Sequence, residues 1–230
     1  MKLISATVAS ALLLLSATAV LAAPAPNGLY GEAWNQPEGE ENIIETLSQA
    51  ETIIGSRSAD STFTATAIDY ATSGSEADTT LLEFLDGNAT DVTSDFANMR
   101  NAVFRFSGYL EILGSMDEDT SDPDIDVTLQ LQSDDGSFLY IDGVQVIDNG
   151  GTHGPETVST TESFASAGLV PIEIIYWNSE YSGGSGGGEV EFQNGDGEVI
   201  PNSQLSLIPE PATLALLSLG LPVLLRRKRR

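Results

Sequence analysis

The chain has 230 residues, which is enough for one substantial domain once possible processing segments are set aside. It contains 34 acidic residues against nine lysines and arginines, so its formal net charge is −25, and such a surface repels nucleic acid and anionic lipid. The absence of cysteine excludes disulfides and cysteine nucleophiles.

The N-terminus has the order of a secretory signal peptide. Lys2 precedes an apolar run at residues 8–15, and a small-residue site ends at Ala22. We therefore expect residues 1–22 to be a signal peptide and residues 23–27 to be a linker rich in proline and alanine. The alternative is an uncleaved anchor helix, but the apolar core is short for a bilayer span of about 20 residues.

The first part of the region 28–207 alternates between strand-like and helix-like patterns. Residues 28–34 place large apolar side chains at alternate positions, as in a half-buried strand. Residues 38–56 carry isoleucines and a leucine at helix-compatible spacing, which predicts a short helix. Residues 63–70 alternate again and predict a strand. A polar loop follows, and after it come the apolar run 81–85 and Asp86-Gly87.

The middle of the chain predicts the core of a sheet. Residues 102–113 are rich in β-branched and aromatic side chains and should form a core strand. An acidic loop at 116–126 precedes a second alternating strand at 125–131. Residues 138–141 and 144–147 flank Asp142-Gly143, which favours the positive-φ turn of a tight hairpin.

The last part of this region predicts two more strands, at 171–177 and 189–192, separated by a glycine-rich loop at 182–188. Residues 199–207 could close the sheet. Many short strands with strong turn residues and few short helices predict an all-β sandwich or barrel of antiparallel strands.

The C-terminus reads Pro209-Glu210-Pro211, then a mostly apolar segment at 212–225, then five basic residues. A helix of 14 residues rises about 21 Å, short of a hydrocarbon core of about 30 Å. The block at 208–230 resembles the PEP-CTERM sorting signal of Gram-negative bacteria. The resemblance implies removal by a membrane exosortase, only transient membrane association, and delivery to the cell surface or the extracellular matrix.

Between the two ends the charge is more extreme than in the whole chain. Six of the nine cationic residues and one acidic residue lie outside positions 23–208, which leaves 33 acids against three arginines and a net charge of about −30. Most of these carboxylates fit a solvated surface suited to solubility or a saline medium. Carboxylates at a fixed geometry carry more information.

The strongest candidate site is Ser133-Asp134-Asp135-Gly136, between the strand ending at Leu131 and the hairpin. Adjacent carboxylates repel each other, and a hard cation with oxygen ligands removes the penalty. Taken alone, the tetrapeptide is an ordinary turn.

The surroundings of this tetrapeptide resemble the core signature of the protective-antigen-type (PA14) domain, a β-sandwich of bacterial toxins, glycosidases and yeast adhesins. The resemblance rests on the run SDDGSFLYIDG at 133–143 and, in order along the chain, on residues 28–30, 104–110, 146–149, 167–168 and 171–176. One departure is clear, because the acidic loop and strand at 116–131 replace the family's Gly-x-Tyr-x-Phe run.

The resemblance implies a calcium site and a sugar-binding role. In sugar-binding members the two Asp residues are joined by a cis peptide bond and chelate one calcium ion, which would assign Asp134 and Asp135. Asn178 would add a side-chain oxygen, and the carbonyls of Glu180 and Ser182 would complete the protein ligands. Side-chain contact with the sugar would come from the following residues: Trp177, Tyr181 and the loop near His153.

Several alternatives stay open at this stage. Trp177 could equally belong to the core, and the acidic loop 116–126 could bind a second calcium ion or be a solvated loop. His153, the only histidine, has no visible nucleophile partner, so it should be an exposed loop residue. We expect a non-catalytic, calcium-dependent, lectin-like adhesin. The alternatives are a structural or protein-binding component of the surface or exopolysaccharide matrix, and a glycoside-processing enzyme.

Overall fold

The computed structural model describes residues 28–36, 43–72, 78–179 and 187–207, and the account below concerns these residues. The predicted signal peptide (1–22), linker (23–27) and sorting signal (208–230) lie outside them. So do three predicted site residues: Glu180, Tyr181 and Ser182.

Two antiparallel sheets form the described part of the domain. The strands of the larger sheet are β1 Leu29–Asn35, β2 Ser61–Ala65, β4 Ala89–Thr90, β5 Ala102–Ile112, β7 Ser137–Ile141, β8 Val144–Asn149, β10 Gly168–Asn178 and β12 Leu205–Ser206. Those of the smaller sheet are β3 Asp69–Ala71, β6 Ile125–Asp134, β9 Glu156–Phe164 and β11 Glu189–Asn194. The larger sheet has the order β4-β2-β1-β5-β10-β7-β8 with β12 beside β5, and the smaller has β3-β11-β6-β9. The predicted antiparallel β-sandwich is confirmed.

Within the described ranges two short α-helices accompany the sheets, α1 Leu47–Ser56 and α2 Leu81–Leu85. Thr80 and Glu83 form a capping box that begins α2, and the Thr46 side chain accepts a hydrogen bond from Gln49 N–H at the start of α1. Single 3₁₀ turns occupy Gly114–Met116 and Asn202–Gln204. Among the described residues, no helix combines the length and the apolar character that crossing a bilayer demands.

The larger sheet buries side chains on both of its faces. Inward residues such as Phe104 on β5 and Ile174 on β10 meet the smaller sheet in the main core. Their chain neighbours Val103 and Ile175 point the other way, into a second apolar cluster beneath α1. Burial on both faces explains why the predicted strand at 171–177 is continuously apolar near its end rather than alternating.

Three elements differ from the sequence prediction. The single strand predicted at 63–70 is two strands, because residues 66–68 turn the chain out of the larger sheet at β2 and into the smaller one at β3. The apolar run 81–85, to which the sequence pattern assigned no element, forms α2. β9 was not predicted, since its sequence is mostly polar, yet it pairs with β6 from Glu156 to Phe164.

The predicted hairpin of β7 and β8 is confirmed, with φ of 52° at Asp142 and 77° at Gly143. Just before it, the chain leaves the smaller sheet at the end of β6 and enters the larger one at the start of β7. Residues 135 and 136 therefore cross between the sheets at one end of the sandwich. There Trp177 N–H, near the end of β10, donates to the Gly136 carbonyl oxygen at 3.0 Å.

The close approach of β12 to β5 predicts that Gly108→Ala destabilises the domain. A methyl group at this position would overlap the Ser206 carbonyl oxygen and lie 2.8 Å from Leu29 Cδ2. Since the first obstacle is backbone, we expect a loss of about 1–3 kcal/mol in the free energy of unfolding, measured by urea denaturation.

The matched control is Gly114→Ala, where an added methyl group meets nothing within 4 Å. Equal unfolding midpoints for the two variants would contradict the close packing of β12 on β5.

Candidate functional site

Three segments meet where the chain crosses between the sheets. The Asp135 carboxylate accepts a hydrogen bond at Oδ1 from His153 N–H (2.9 Å), in the loop after β8, and at Oδ2 from Ser179 N–H (2.7 Å), just after β10. The Tyr176 hydroxyl donates to the Asp134 carbonyl oxygen at 2.8 Å. The predicted Asp pair is thus tied to both flanking segments by its own polar atoms.

The peptide bond between Asp134 and Asp135 is cis. This is the isomer that the resemblance to sugar-binding PA14 domains implied. Asp135 is 8% exposed, whereas Asp134, the last residue of β6, is half-buried and lies opposite Glu189 on β11.

Both carboxyl groups are electrostatically unfavourable as anions in this position. Burial raises the pKa of Asp134 to about 6, with a further contribution from the charge of Glu189. Burial also raises the pKa of Asp135 to about 6; the N–H groups of Ser179 and His153 oppose this rise, and the charge of Asp134 adds to it. A bound cation would stabilise both anions.

Asn178, the last residue of β10, lies at the same end of the sandwich. Its side chain is buried, and Nδ2 donates to the Met99 carbonyl oxygen at 3.0 Å, which orients the amide. Gly188 packs directly on this amide, since a Cβ there would lie 2.7 Å from Asn178 Nδ2 and 2.8 Å from the Tyr176 hydroxyl. A glycine is therefore required where the chain returns from the glycine-rich loop.

The donor set fits a hard cation such as calcium. Among the described residues, no three His, Cys, Asp or Glu side chains converge as a metal-binding group. Calcium accepts carboxylate, amide and carbonyl oxygens, whereas zinc prefers nitrogen and sulfur. Ser179 Oγ is buried close to the pair and has no hydrogen-bond partner within the described ranges.

His153 is half-buried, so the prediction of an exposed loop histidine is wrong. Its ring forms hydrogen bonds to the backbone of its own loop. Its Nε2 lies 3.1 Å from the Asn149 carbonyl oxygen and its Nδ1 2.8 Å from that of Gly154. Burial disfavours the charged ring, yet these carbonyl contacts and the charges of Glu156 and Asp135 raise the pKa of His153. The protonated ring can donate to both carbonyls at once.

Trp177 belongs to the core, which settles the alternative that the sequence left open. Its side chain is fully buried beneath α1 and stacks on Phe138, with ring centroids 5.7 Å apart. Its indole ring fills the space that a Cβ on Gly136 would need. Trp177 therefore helps to position the Asp pair from below and offers no exposed face to a sugar.

A buried polar network beside the site was missed by the sequence analysis. Asn149 Nδ2 donates to Ser133 Oγ (2.9 Å) and to the Glu156 carbonyl oxygen (3.1 Å), and Ser133 Oγ lies 2.8 Å from Ser137 Oγ. The network joins β6, β7, β8 and β9 around the loop. One signal could have revealed it, because position 133 continues the buried phase of Val127, Leu129 and Leu131.

Comparison with known proteins gives a family and several structural relatives. The chain matches the model of the PA14 domain over residues 80–200. It is similar to a PA14 sugar-binding domain from an RTX adhesin (22% identity, TM-score 0.61, covering 79% of this chain and 98% of that one). The PA14 domain of the antifreeze protein MpAFP is similar to the same degree (22%, 0.62, 82% and 94%).

A more distant structure is the Epithelial Adhesin 6 A domain from Candida glabrata, solved in complex with Galb1-3GlcNAc (14% identity, TM-score 0.52, covering 84% of this chain and 92% of that one). At these identities the structures show a shared fold. A search of curated proteins finds no match to the chain.

The raised pKa values predict that Asp134→Asn stabilises the domain at neutral pH in EDTA. A carboxyl group whose pKa rises from 3.8 to about 6 on folding weakens the folded state as the pH increases through that interval. Asparagine removes this charge, and since solvent screens the partly exposed Asp134 we expect a gain of only roughly 1 kcal/mol in the free energy of unfolding.

Urea denaturation at several pH values measures the effect, and Asp196→Asn, an exposed site with the same change of charge, is the control. A gain at Asp196 equal to that at Asp134 would point to the overall charge of the protein instead.

Proposed function

Because the chain belongs to the PA14 domain family, we propose that its domain is a non-catalytic, calcium-dependent carbohydrate-binding module of adhesin type. The observation that carries this proposal is the desolvated Asp134–Asp135 pair, held by Ser179 and His153 at the end of the sandwich where Asn178 is also fixed. Two anions kept in a poorly solvated position favour a cationic ligand.

The protein ligands of calcium would be oxygens of this chain. Asp134 and Asp135 supply carboxylates and Asn178 a side-chain carbonyl, while Glu180 and Ser182, outside the described residues, would add main-chain carbonyls. Bound calcium would supply open coordination positions for a pair of sugar hydroxyls. The hydrogen bonds from Ser179 and His153 would hold the Asp135 carboxylate in place before the ion arrives.

The relatives support a glycan as the ligand class. One similar structure is described as a sugar-binding domain of an adhesin, and another was solved with a disaccharide. With Trp177 in the core, aromatic contact with the sugar at this site would fall to Tyr181, and His153 would contribute through its loop. Loop residues would therefore decide which sugar binds.

Binding without catalysis agrees with how the polar groups near the site are used. Both ring nitrogens of His153 face main-chain carbonyls, so the ring is poorly placed to serve as a general base. Each Asp135 oxygen accepts a hydrogen bond from a backbone N–H, which holds the carboxylate in one orientation. This suits a group that coordinates a metal ion better than a nucleophile.

We further propose that the protein acts outside the cell. The signal-like residues 1–22 and the PEP-CTERM-like block 208–230 support export and processing by an exosortase, leaving a mature protein of residues 23 to about 210 at the cell surface or in the extracellular matrix of a Gram-negative bacterium. Calcium is plentiful there, so the Asp pair would hold its ion without regulation.

A second candidate is a structural or protein-binding component of the surface or exopolysaccharide matrix that uses the fold without sugar recognition. The burial of Trp177 favours it, since this removes one predicted sugar contact from the site.

The proposal predicts that calcium stabilises the protein and that Asp134→Asn abolishes the effect. Ligand at about 100 times its dissociation constant should add about 2.7 kcal/mol to the free energy of unfolding. Thermal denaturation with increasing calcium measures this, and Asp196→Asn should respond like the wild type. Retention on a glycan array should require both calcium and Asp134.

Calcium binding without retention of any glycan on a broad array would favour the structural role. If added calcium does not raise the melting temperature of the wild-type protein, the metal site itself is refuted. Turnover of a polysaccharide by the purified protein would refute the non-catalytic role.

A further inference from the structure

A second group of polar and aromatic side chains, suited to ligand binding, lies on the outer face of the larger sheet beside α1. The strand registers align Tyr30 with Ser107, Ser107 with Glu173, and Glu173 with Tyr140 in one row across β1, β5, β10 and β7. Neighbouring strands lie about 4.8 Å apart, so Glu173 is within side-chain reach of Ser107 and Tyr140. The row combines aromatic rings, a hydroxyl and a carboxylate.

A cleft of about 420 Å³ opens over the part of this row that β5, β10 and β7 contribute. Its lining includes Tyr109, Tyr140, Pro171 and Glu173. Glu51 on α1 forms part of one wall. This volume is within the range of small-ligand sites. Glu173 precedes Asn178 by five residues on β10, about 17 Å along the strand, so the cleft is separate from the Asp134–Asp135 site.

The cleft carries negative charge without a matching cation. Burial raises the pKa of Glu173, the charge of Arg105 lowers it, and the charges of Glu32 and Glu51 raise it further. Arg105 is engaged elsewhere, since its Nε donates to Glu32 at 2.8 Å and its Nη2 donates to the same oxygen. None of the described residues donates a hydrogen bond to Glu173, so its carboxylate can accept from a ligand.

The tyrosines supply the complementary surface. Tyr109 and Tyr140 line the cleft, and no described residue forms a hydrogen bond with their hydroxyl groups. Tyrosine rings pack against the C–H faces of sugar rings, and near a carboxylate they also attract an ammonium group. A lysine side chain would engage the carboxylate but leave most of the aromatic and hydroxyl surface unfilled.

We propose that this cleft binds an amino sugar with a free, protonated amine, as occurs in a deacetylated polysaccharide, with Glu173 receiving the ammonium group. A neutral sugar would leave the half-buried carboxylate unpaired, and an anionic sugar would be repelled. The net charge of −25 attracts a polycationic chain over longer range. The site needs no calcium and so stands apart from the function proposed above.

Calorimetry in EDTA at neutral pH tests the proposal, with the glucosamine hexamer and its fully N-acetylated counterpart as probes. We expect the glucosamine hexamer to bind at least about tenfold more tightly than the acetylated one. Glu173→Gln should weaken glucosamine binding roughly tenfold, as expected for a charge-assisted hydrogen bond. Tyr140→Leu, which keeps apolar bulk beneath α1, should also weaken binding.

Glu191→Gln is the matched control, because Glu191 lies on the smaller sheet opposite Gln132 and changes the charge equally. It should bind like the wild type. Thermal denaturation confirms that each variant is folded.

Equal binding of the acetylated hexamer, or equal losses at Glu173 and Glu191, would overturn the proposal. So would a lysine hexamer that binds as tightly and is equally sensitive to Glu173→Gln, since the cleft would then recognise amines and not a sugar. Because EDTA removes calcium from every measurement, failure here leaves the Asp134–Asp135 proposal untouched.

Discussion

The end of the sandwich where β6 passes into β7 depends on the two hydrogen bonds that the Asp135 carboxylate accepts. The chain crosses from one sheet to the other between β6 and β7, next to two loops whose backbone N–H groups at His153 and Ser179 lie outside the strands. Asp135 accepts two of these, from His153 and Ser179, and so joins the loop after β8 to the end of β10. A buried carboxylate with two such bonds is well satisfied geometrically but still poorly solvated as an anion. The group that the proposed cation would bind is therefore also one that holds this end of the structure together.

Packing beneath the crossing makes that arrangement rigid. The larger sheet buries both of its faces here, so Trp177 can stack on Phe138 while its chain neighbour Tyr176 points inward and donates to the Asp134 carbonyl oxygen. Gly136 leaves room for the indole ring, and Gly188 leaves room for the Asn178 amide. Two glycines that resemble ordinary loop residues in the sequence are thus required by neighbouring side chains. A site built in this way is positioned by the core and not by the flexibility of its loops.

Local patterns in the sequence predicted the parts of the fold that local chemistry determines. The hairpin at Asp142-Gly143 and the core strand β5 follow from turn residues and from β-branched and aromatic content, and Asp134-Asp135 stood out as adjacent charges at a strand end. What escaped prediction depends on partners distant in the sequence. β9 is a strand because β6 offers it a full edge, and residues 63–70 divide because β3 pairs with β11 in the other sheet. The burial of Asn149 and of the His153 ring likewise depends on loops that meet only after folding.

The carboxylates of this acidic chain differ in how well water solvates them, and this difference identifies the few that are candidates for ligand binding. Among the described residues, burial raises the carboxyl pKa at Asp134, Asp135 and Glu173, and these groups lie in two places with different neighbours. The Asp pair brings two adjacent carboxylates together, with Glu189 opposite Asp134, and such a concentration of anionic oxygens suits a small hard cation. Glu173 lies beside Tyr140 in an open cleft that Tyr109 also lines, where a compact, strongly hydrated ion would leave the aromatic surface unused and a larger organic cation would cover it. Under the two proposals the same functional group would select two kinds of cation, because the atoms around it decide how much of its charge is matched by water, by backbone or by a ligand.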